Sequence, residues 1–320
     1  MTTKKVKNDN QNEDTLKASL RGKAPQKQGG KDIKEIITNQ IIEMIETGQA
    51  TGQDWVKPFR SLGGRPTNAS TGRPYRGLNA LWLGLLGYQT VATYRQWQGL
   101  GYQVQQGSKG VLISVPKTKK DKKTGDDIVL GFRAASVHPT ASVLHAESGE
   151  PWAAPDAPTL DLTERLENAD NYIENLGFDI RFGNEDGAFY RPSSDYINMP
   201  PRELFIATTT STATENYYST LLHESAHATG HTSRLDRLDL KNEKGYAFEE
   251  LVAELSAAFL CNLLQVSSEP REDHAHYLSG WLKALKNDSD YIFKAASEAQ
   301  KVVDWMDKQQ PDDKVEQKVA

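Results

Sequence analysis

Two imidazoles four residues apart, with a carboxylate beside the first, stand in the run Leu221-Leu222-His223-Glu224-Ser225-Ala226-His227. Positions i and i+4 share one face of a helix, so His223 and His227 can converge on a single cation. Glu224 then lies next to the first ligand, placed to polarise a water at that cation without ligating it. Tyr217, Tyr218, Leu221, Leu222 and Ala226 make the helix amphipathic, and Gly230 stops it. The chemistry implied is metal-assisted hydrolysis with Glu224 as base. The metal expected is zinc, with Mn2+ or Co2+ also suited to such donors.

Two imidazoles do not hold zinc at a catalytic site, which needs three protein ligands and an open position. His231 is the nearest candidate in sequence, but it follows Gly230, where the helix direction is lost. Ser233 stands where a metzincin pattern would carry a third histidine. The next helix offers Glu250 and Glu254, again at i and i+4, with Leu251, Val252, Leu255, Ala258 and Phe259 to dock it. This run resembles the ExxA(D/E) arrangement of gluzincin-type peptidases. The resemblance implies Glu250 as third ligand and Glu254 as the carboxylate that orients a ligating histidine, with exchanged roles as the alternative. His138, His145, His274 and His276 are read as non-ligating, and Cys261 as a small buried thiol.

The elements that must position these residues read as α+β throughout. Residues 1–30 are polar and lack apolar periodicity, a disordered arm. A first, mixed domain is expected over 31–145. It opens with a helix carrying Ile33, Ile37, Ile41 and Ile45, capped by Asp32. Helical patterns recur at Asn79–Leu86 and Thr93–Leu100. Residues 102–117 read as two strands joined by a Gly-containing turn. Residues 117–127 then form an exposed hairpin tip, with a returning strand behind it. The Pro- and Ala-rich 146–160 is the expected linker, 161–308 the domain holding the metal site, and 309–320 a polar tail.

Composition excludes several classes. No apolar stretch approaches the ~18–20 residues that span a bilayer, and the N-terminus has no apolar core of a secretory signal. One cysteine permits neither an intramolecular disulfide framework nor a Cys-rich zinc finger. The expectation is a cytoplasmic protein without a membrane partner. Residues 1–150 carry 22 Lys and Arg against 13 Asp and Glu, whereas 151–320 carry 16 against 30. A basic half joined to an acidic half suggests two domains with different partners, the first able to attract a polyanion.

In that basic half, cations and aromatics interleave. Trp55, Lys57, Phe59, Arg60, Arg65, Tyr75, Arg76 and Lys109 are the candidates for binding single-stranded DNA, whose unstacked bases suit aromatic faces and whose phosphates suit cations. Trp82 and Trp97 fall on helices and are expected in the core. The order ITNQIIEMIETG, WVKPF, NASTGRPYRGLN, TYRQW, VQQGSKG resembles the N-terminal domain of ArdC-type antirestriction proteins of conjugative plasmids, a domain also found in TraC-type primases. HESAHATGHTSRLDR followed by GYAFEELVAELSAAFLC resembles the metallopeptidase domain of the same proteins. Phe59 replaces a tryptophan of the family pattern with another aromatic. The resemblance implies a single-stranded-DNA-binding domain fused to a zincin-like metallopeptidase, protecting incoming plasmid DNA, with host restriction proteins as a conceivable target. Two other readings stand beside it. One is a DNA-coating shield with a structural metal; the other is an accessory to plasmid priming.

Overall fold

The computed structural model describes residues 32–51, 65–153, 162–183, 187–208, 211–239, 242–266 and 275–311. The candidate DNA contacts Trp55, Lys57, Phe59 and Arg60 lie outside them, as do the 1–30 arm and most of the tail. The chain divides into two compact units. The first takes in residues up to 60, 65–156 and 278–293; the second takes in 157–277 and 294 onward. Helices and mixed sheets occur in both, an α+β protein.

In the first unit, α1 (Ile33–Thr51) buries Ile33, Ile37, Ile41 and Ile45, a stripe at i+4 spacing. Asp32 accepts a hydrogen bond from the Lys34 amide at its start. The main sheet has the order β1-β2-β5-β4, from β1 (Thr67–Asn68), β2 (Thr90–Ala92), β4 (Val111–Lys120) and β5 (Asp127–Pro139). The β1–β2 pair is parallel and the others antiparallel. A smaller pair joins β3 (Tyr102–Val104) to β6 (Val143–His145). The strands expected over 102–117 therefore exist but do not pair with each other: each finds its partner from 127–145 instead. Helix α2 (Gly77–Leu85) braces the outer edge of β4. The Asn79 amide group bonds both the carbonyl and the N–H of Ser114, at 2.7 and 2.9 Å, as a strand would.

Trp82 and Trp97 are core residues, 2% and 0% exposed. Six residues are too few to hold a helix alone. Helix α3 (Tyr94–Gly99) is instead fixed by a Thr93–Gln96 capping box and the buried Trp97 indole, which donates to the His138 carbonyl. Trp152 stacks edge-on against Trp97 and Tyr102, so the first part of the 146–160 stretch folds onto this unit.

In the second unit, α4 (Leu162–Glu174) precedes a sheet of order β7-β9-β8, from β7 (Asp179–Phe182), β8 (Phe189–Arg191) and β9 (Tyr196–Met199). Helix α5 (Ala213–Thr229) packs on β8, β9 and α6 (Glu243–Leu264) and is buried almost all round. Helix α7 (Ala275–Asn287) falls mostly in the first unit, and α8 (Tyr291–Asp307), mostly in the second, is the last described helix. Tyr172 of α4 donates to Asp307 at its end.

Candidate metal centre

Helix α5 begins at a reciprocal cap. The Glu215 carboxylate accepts from the Thr212 amide at 2.7 Å, and the Thr212 hydroxyl accepts from the Glu215 amide at 3.2 Å. With its start fixed, the helix presents His223, Glu224 and His227 to α6. It ends at Gly230 with ordinary right-handed geometry, φ −76°. Glycine is needed there for proximity. A Cβ would meet the Leu238 side chain at 2.7 Å, because the chain turns back and Arg237 and Leu238 donate to the Gly230 carbonyl.

The structure brings His223, His227 and Glu250 together, with one donor atom from each lying within 4.8 Å of the others. The two Nε2 atoms are 3.1 Å apart, and each is 3.6 Å from a Glu250 carboxylate oxygen. Ligands at zinc bond lengths in a tetrahedral site stand about 3.3–3.4 Å from one another, so the triangle has the right size. The outer ring nitrogens face carboxylates. Nδ1 of His223 is 3.1 Å from Glu254, and Nδ1 of His227 is 3.1 Å from Glu249. A carboxylate only accepts, so with a cation bound each Nδ1 would keep its hydrogen and each neutral ring would turn an Nε2 lone pair inward. Two imidazole nitrogens and the Glu250 carboxylate then face one point, and the donor set fits a divalent metal.

Burial alone would lower the His223 pKa. The Glu254 charge, hydrogen bonding to Glu250 and Glu254 and the nearby Glu224 outweigh it, and it is pushed up to about 10. Burial would likewise raise Glu250, but His223, His227 and the Tyr246 hydroxyl hold it below its ordinary value. Glu224 is 6% exposed and makes no hydrogen bond or ion pair among the described residues. A buried carboxylate left unengaged beside a cation site is free to take a proton.

His231 is not in the cluster: its Nδ1 is 2.8 Å from the Ser233 hydroxyl and 3.8 Å from Asp195. His138 and His145 lie in the first unit, and His274 lies outside the described residues. Sequence reading missed Glu249 and Arg237. The Arg237 guanidinium donates to both Glu249 oxygens, at 2.8 and 2.9 Å, and to the Ala226 carbonyl at 2.9 Å. Burial would raise the Glu249 pKa, and Arg237 with His227 holds it low instead. The Glu249-Glu250 doublet was the available signal, since adjacent helix positions can serve adjacent rings.

Of the candidate DNA residues, Arg65, Tyr75, Arg76 and Lys109 are described. Arg76 and Lys109 are exposed and Arg65 is partly buried. Tyr75, a candidate for stacking on a base, is half-buried. Its ring packs against the cluster Leu83, Val91, Ile113 and Val137, and its hydroxyl accepts from Asn68 at 3.1 Å. Burial raises its pKa accordingly.

This fold and centre define a protein with a zincin-like metallopeptidase domain: the family model of that description matches residues 167–298. A second model, the N-terminal domain of anti-restriction factor ArdC, matches residues 31–160. The chain belongs to the ArdC antirestriction family. It is similar to the antirestriction protein ArdC of plasmid R388, at 33% identity and TM-score 0.66 for the metal-free crystal structure. For the Mn(II)-bound structure the values are 34% and 0.69, and in both the match covers 87% of this chain and 98% of the other. An uncharacterized protein, y4eC, of Sinorhizobium fredii is 38% identical over 88% of this chain and 93% of its own length. DNA primase TraC of Escherichia coli is 36% identical over 86% of this chain, which spans only 27% of the primase. The zincin-like domain and the Mn(II)-bound relative indicate a divalent metal at this centre. No described helix is long and apolar enough to cross a membrane.

Proposed function

We propose that the protein is an antirestriction factor that binds single-stranded DNA through its first unit and hydrolyses peptide bonds at the metal centre of its second. The observation that carries the peptidase half is the unengaged, buried Glu224 beside the converging His223, His227 and Glu250. The DNA half is supported by the basic first 150 residues and by relatives named for antirestriction and DNA priming. Such a factor would act in the cytoplasm of a cell receiving plasmid DNA, with host restriction proteins as the peptide substrates to test.

His223, His227 and Glu250 would hold the ion, zinc in this reading. When bound, it supplies Lewis-acid polarisation of a carbonyl and of a water. Glu224 takes a proton from the attacking water and returns it to the departing amine nitrogen. Glu254 and Glu249 fix the two ring orientations, and Tyr246 restrains the Glu250 carboxylate through its hydroxyl.

Glu224→Gln tests the reading. It preserves side-chain shape and metal content while removing the base. Protection of plasmid DNA entering a restricting recipient should fall with the metal retained, measured by transfer frequency and elemental analysis. Unchanged protection would reject peptidase action and leave the DNA-coating shield with a structural metal.

A further inference from the structure

Strands β4 and β5 continue well past the body of the first unit. From Pro116 to Lys120 and from Asp127 to Leu130 every residue is exposed on both faces. The register sorts these residues by side. Val115 pairs with Arg133, Lys117 with Gly131 and Lys119 with Ile128, so Lys117, Lys119 and Arg133 share one face with Ile128. That face has no carboxylate. The opposite face carries Phe132, which meets Phe293 edge-on, and the Lys120–Asp127 ion pair. At the tip, the Asp121 carboxylate is spent on the turn, accepting from the Lys123 and Thr124 amides. Lys122 and Lys123 remain exposed beside it.

A bulge interrupts the ladder between Lys117 and Thr118. Lys117 pairs with Gly131 and Thr118 with Val129, which leaves Leu130 without a partner. Gly131, at φ 149°, accommodates the irregularity. Leu130 is 66% exposed at the bulge; Ile128, 46% exposed, shares the lysine face, and Val129, 52% exposed, lies on the face of Thr118. Water-exposed apolar groups of this size on a cationic ribbon match a partner with regularly spaced negative charge and flat apolar surfaces. Same-face residues on a strand lie about 6.8 Å apart, near two nucleotide rises of a stacked strand.

We infer that the distal β4–β5 hairpin is a DNA-binding arm: Lys117, Lys119 and Arg133 contact phosphates of a single strand, and Leu130 packs against an unstacked base. This rests on the single-stranded-DNA reading above and assigns it to an element apart from Tyr75 and Arg76.

The test uses the full chain and a fluorescent oligo(dT) strand, titrated across a range of salt. The triple variant Lys117→Ala/Lys119→Ala/Arg133→Ala should bind at least about tenfold more weakly and shallow the log–log salt slope by about 2. Leu130→Ser should weaken binding several-fold at an unchanged slope. Lys117→Arg/Lys119→Arg, which keeps the charge, should bind as the parent does, showing that any loss is not misfolding. If the parent binds oligo(dT) and the triple and Leu130 variants bind equally well, the arm is refuted while the DNA reading stands. If the parent does not bind, the DNA reading falls and the arm with it. Should Leu130→Ser abolish a dimer seen by light scattering and leave DNA affinity untouched, Leu130 serves a second copy of this chain and the inference is overturned.

Discussion

Arg237 acts on the donor set through Glu249. It and Glu249 have side chains only 6% and 4% exposed, and the pair fixes His227 from behind. Removing one member of a buried pair costs about 3–5 kcal/mol, because the other charge stays in a poor solvent. Arg237→Ala should therefore lower the melting temperature clearly, and a competition titration should show metal affinity down about 10–100-fold as His227 loses its orientation. Arg237→Lys keeps the charge but not the two-pronged contact, and should recover stability only in part. An unchanged melt in Arg237→Ala would dismiss this account. His223 gives a second prediction. Raised to about 10 without a metal, it holds its proton at neutral pH. An arriving cation must displace that proton, so affinity should climb with pH from 6 towards 9, by at most about tenfold per unit. Calorimetry in buffers of different ionisation enthalpy should find about one proton released near pH 7.5. Zero release would show the ring neutral in the free protein. The pair His223 and His227 was legible in sequence because i, i+4 is a local relation. Glu249 was not. Which of two adjacent glutamates meets which ring depends on how α6 is rotated against α5, and Arg237 arrives from a turn that no period describes.

Helix α5 depends on its exit as much as on its cap. At Gly230 the backbone is unstrained, and the constraint is Leu238 lying where a Cβ would go. Gly230→Ala should cost about 1–3 kcal/mol by overpacking. Leu238→Ala in the same chain should restore part of that loss, a coupling that a double-mutant cycle in urea would measure. Additive losses would mean that the glycine serves something other than the return of the chain. Helices and strands were legible wherever one period persisted: the Ile33–Ile45 stripe, the α5 and α6 patterns and the long hairpin all follow from local alternation. Pairing was not. Residues 102–117 look like one hairpin because two apolar runs flank a Gly-containing turn. Yet Val104 pairs with Val143 and Val111 with Val137, choices made by the burial of Trp97 and Val137 rather than by the turn. For the same reason Trp152, in the stretch read as linker, is partly buried against the first unit. Its partners Trp97 and Tyr102 lie about fifty residues earlier.

Across the whole molecule, the charge asymmetry bears on the proposed DNA binding. The basic first 150 residues attract a polyanion, and the acidic remainder repels it, so binding should be strongly salt-dependent and confined to the first unit. Tyr75 and Arg76, just before α2, test how that attraction is divided between charge and stacking. Arg76 is exposed at the N-cap of α2. Arg76→Ala in the full chain should shallow the log–log salt slope for oligo(dT) by about 0.7, one phosphate's worth. Tyr75 has the opposite character, because its ring leans on Leu83, Val91, Ile113 and Val137 and its hydroxyl takes a hydrogen bond from Asn68. Tyr75→Ala should loosen the first unit by about 2 kcal/mol, less than the 3–5 of a fully buried aromatic. Hydrogen exchange at β4 and β5 amides would report it without interference from the second unit. Tyr75→Phe keeps the ring and loses only the Asn68 bond, so it should keep DNA affinity and most of the protection. The opposite pattern is a Tyr75→Ala variant with native exchange and DNA affinity weakened by about 1–3 kcal/mol. That would return the ring to base stacking, as the sequence alone suggested.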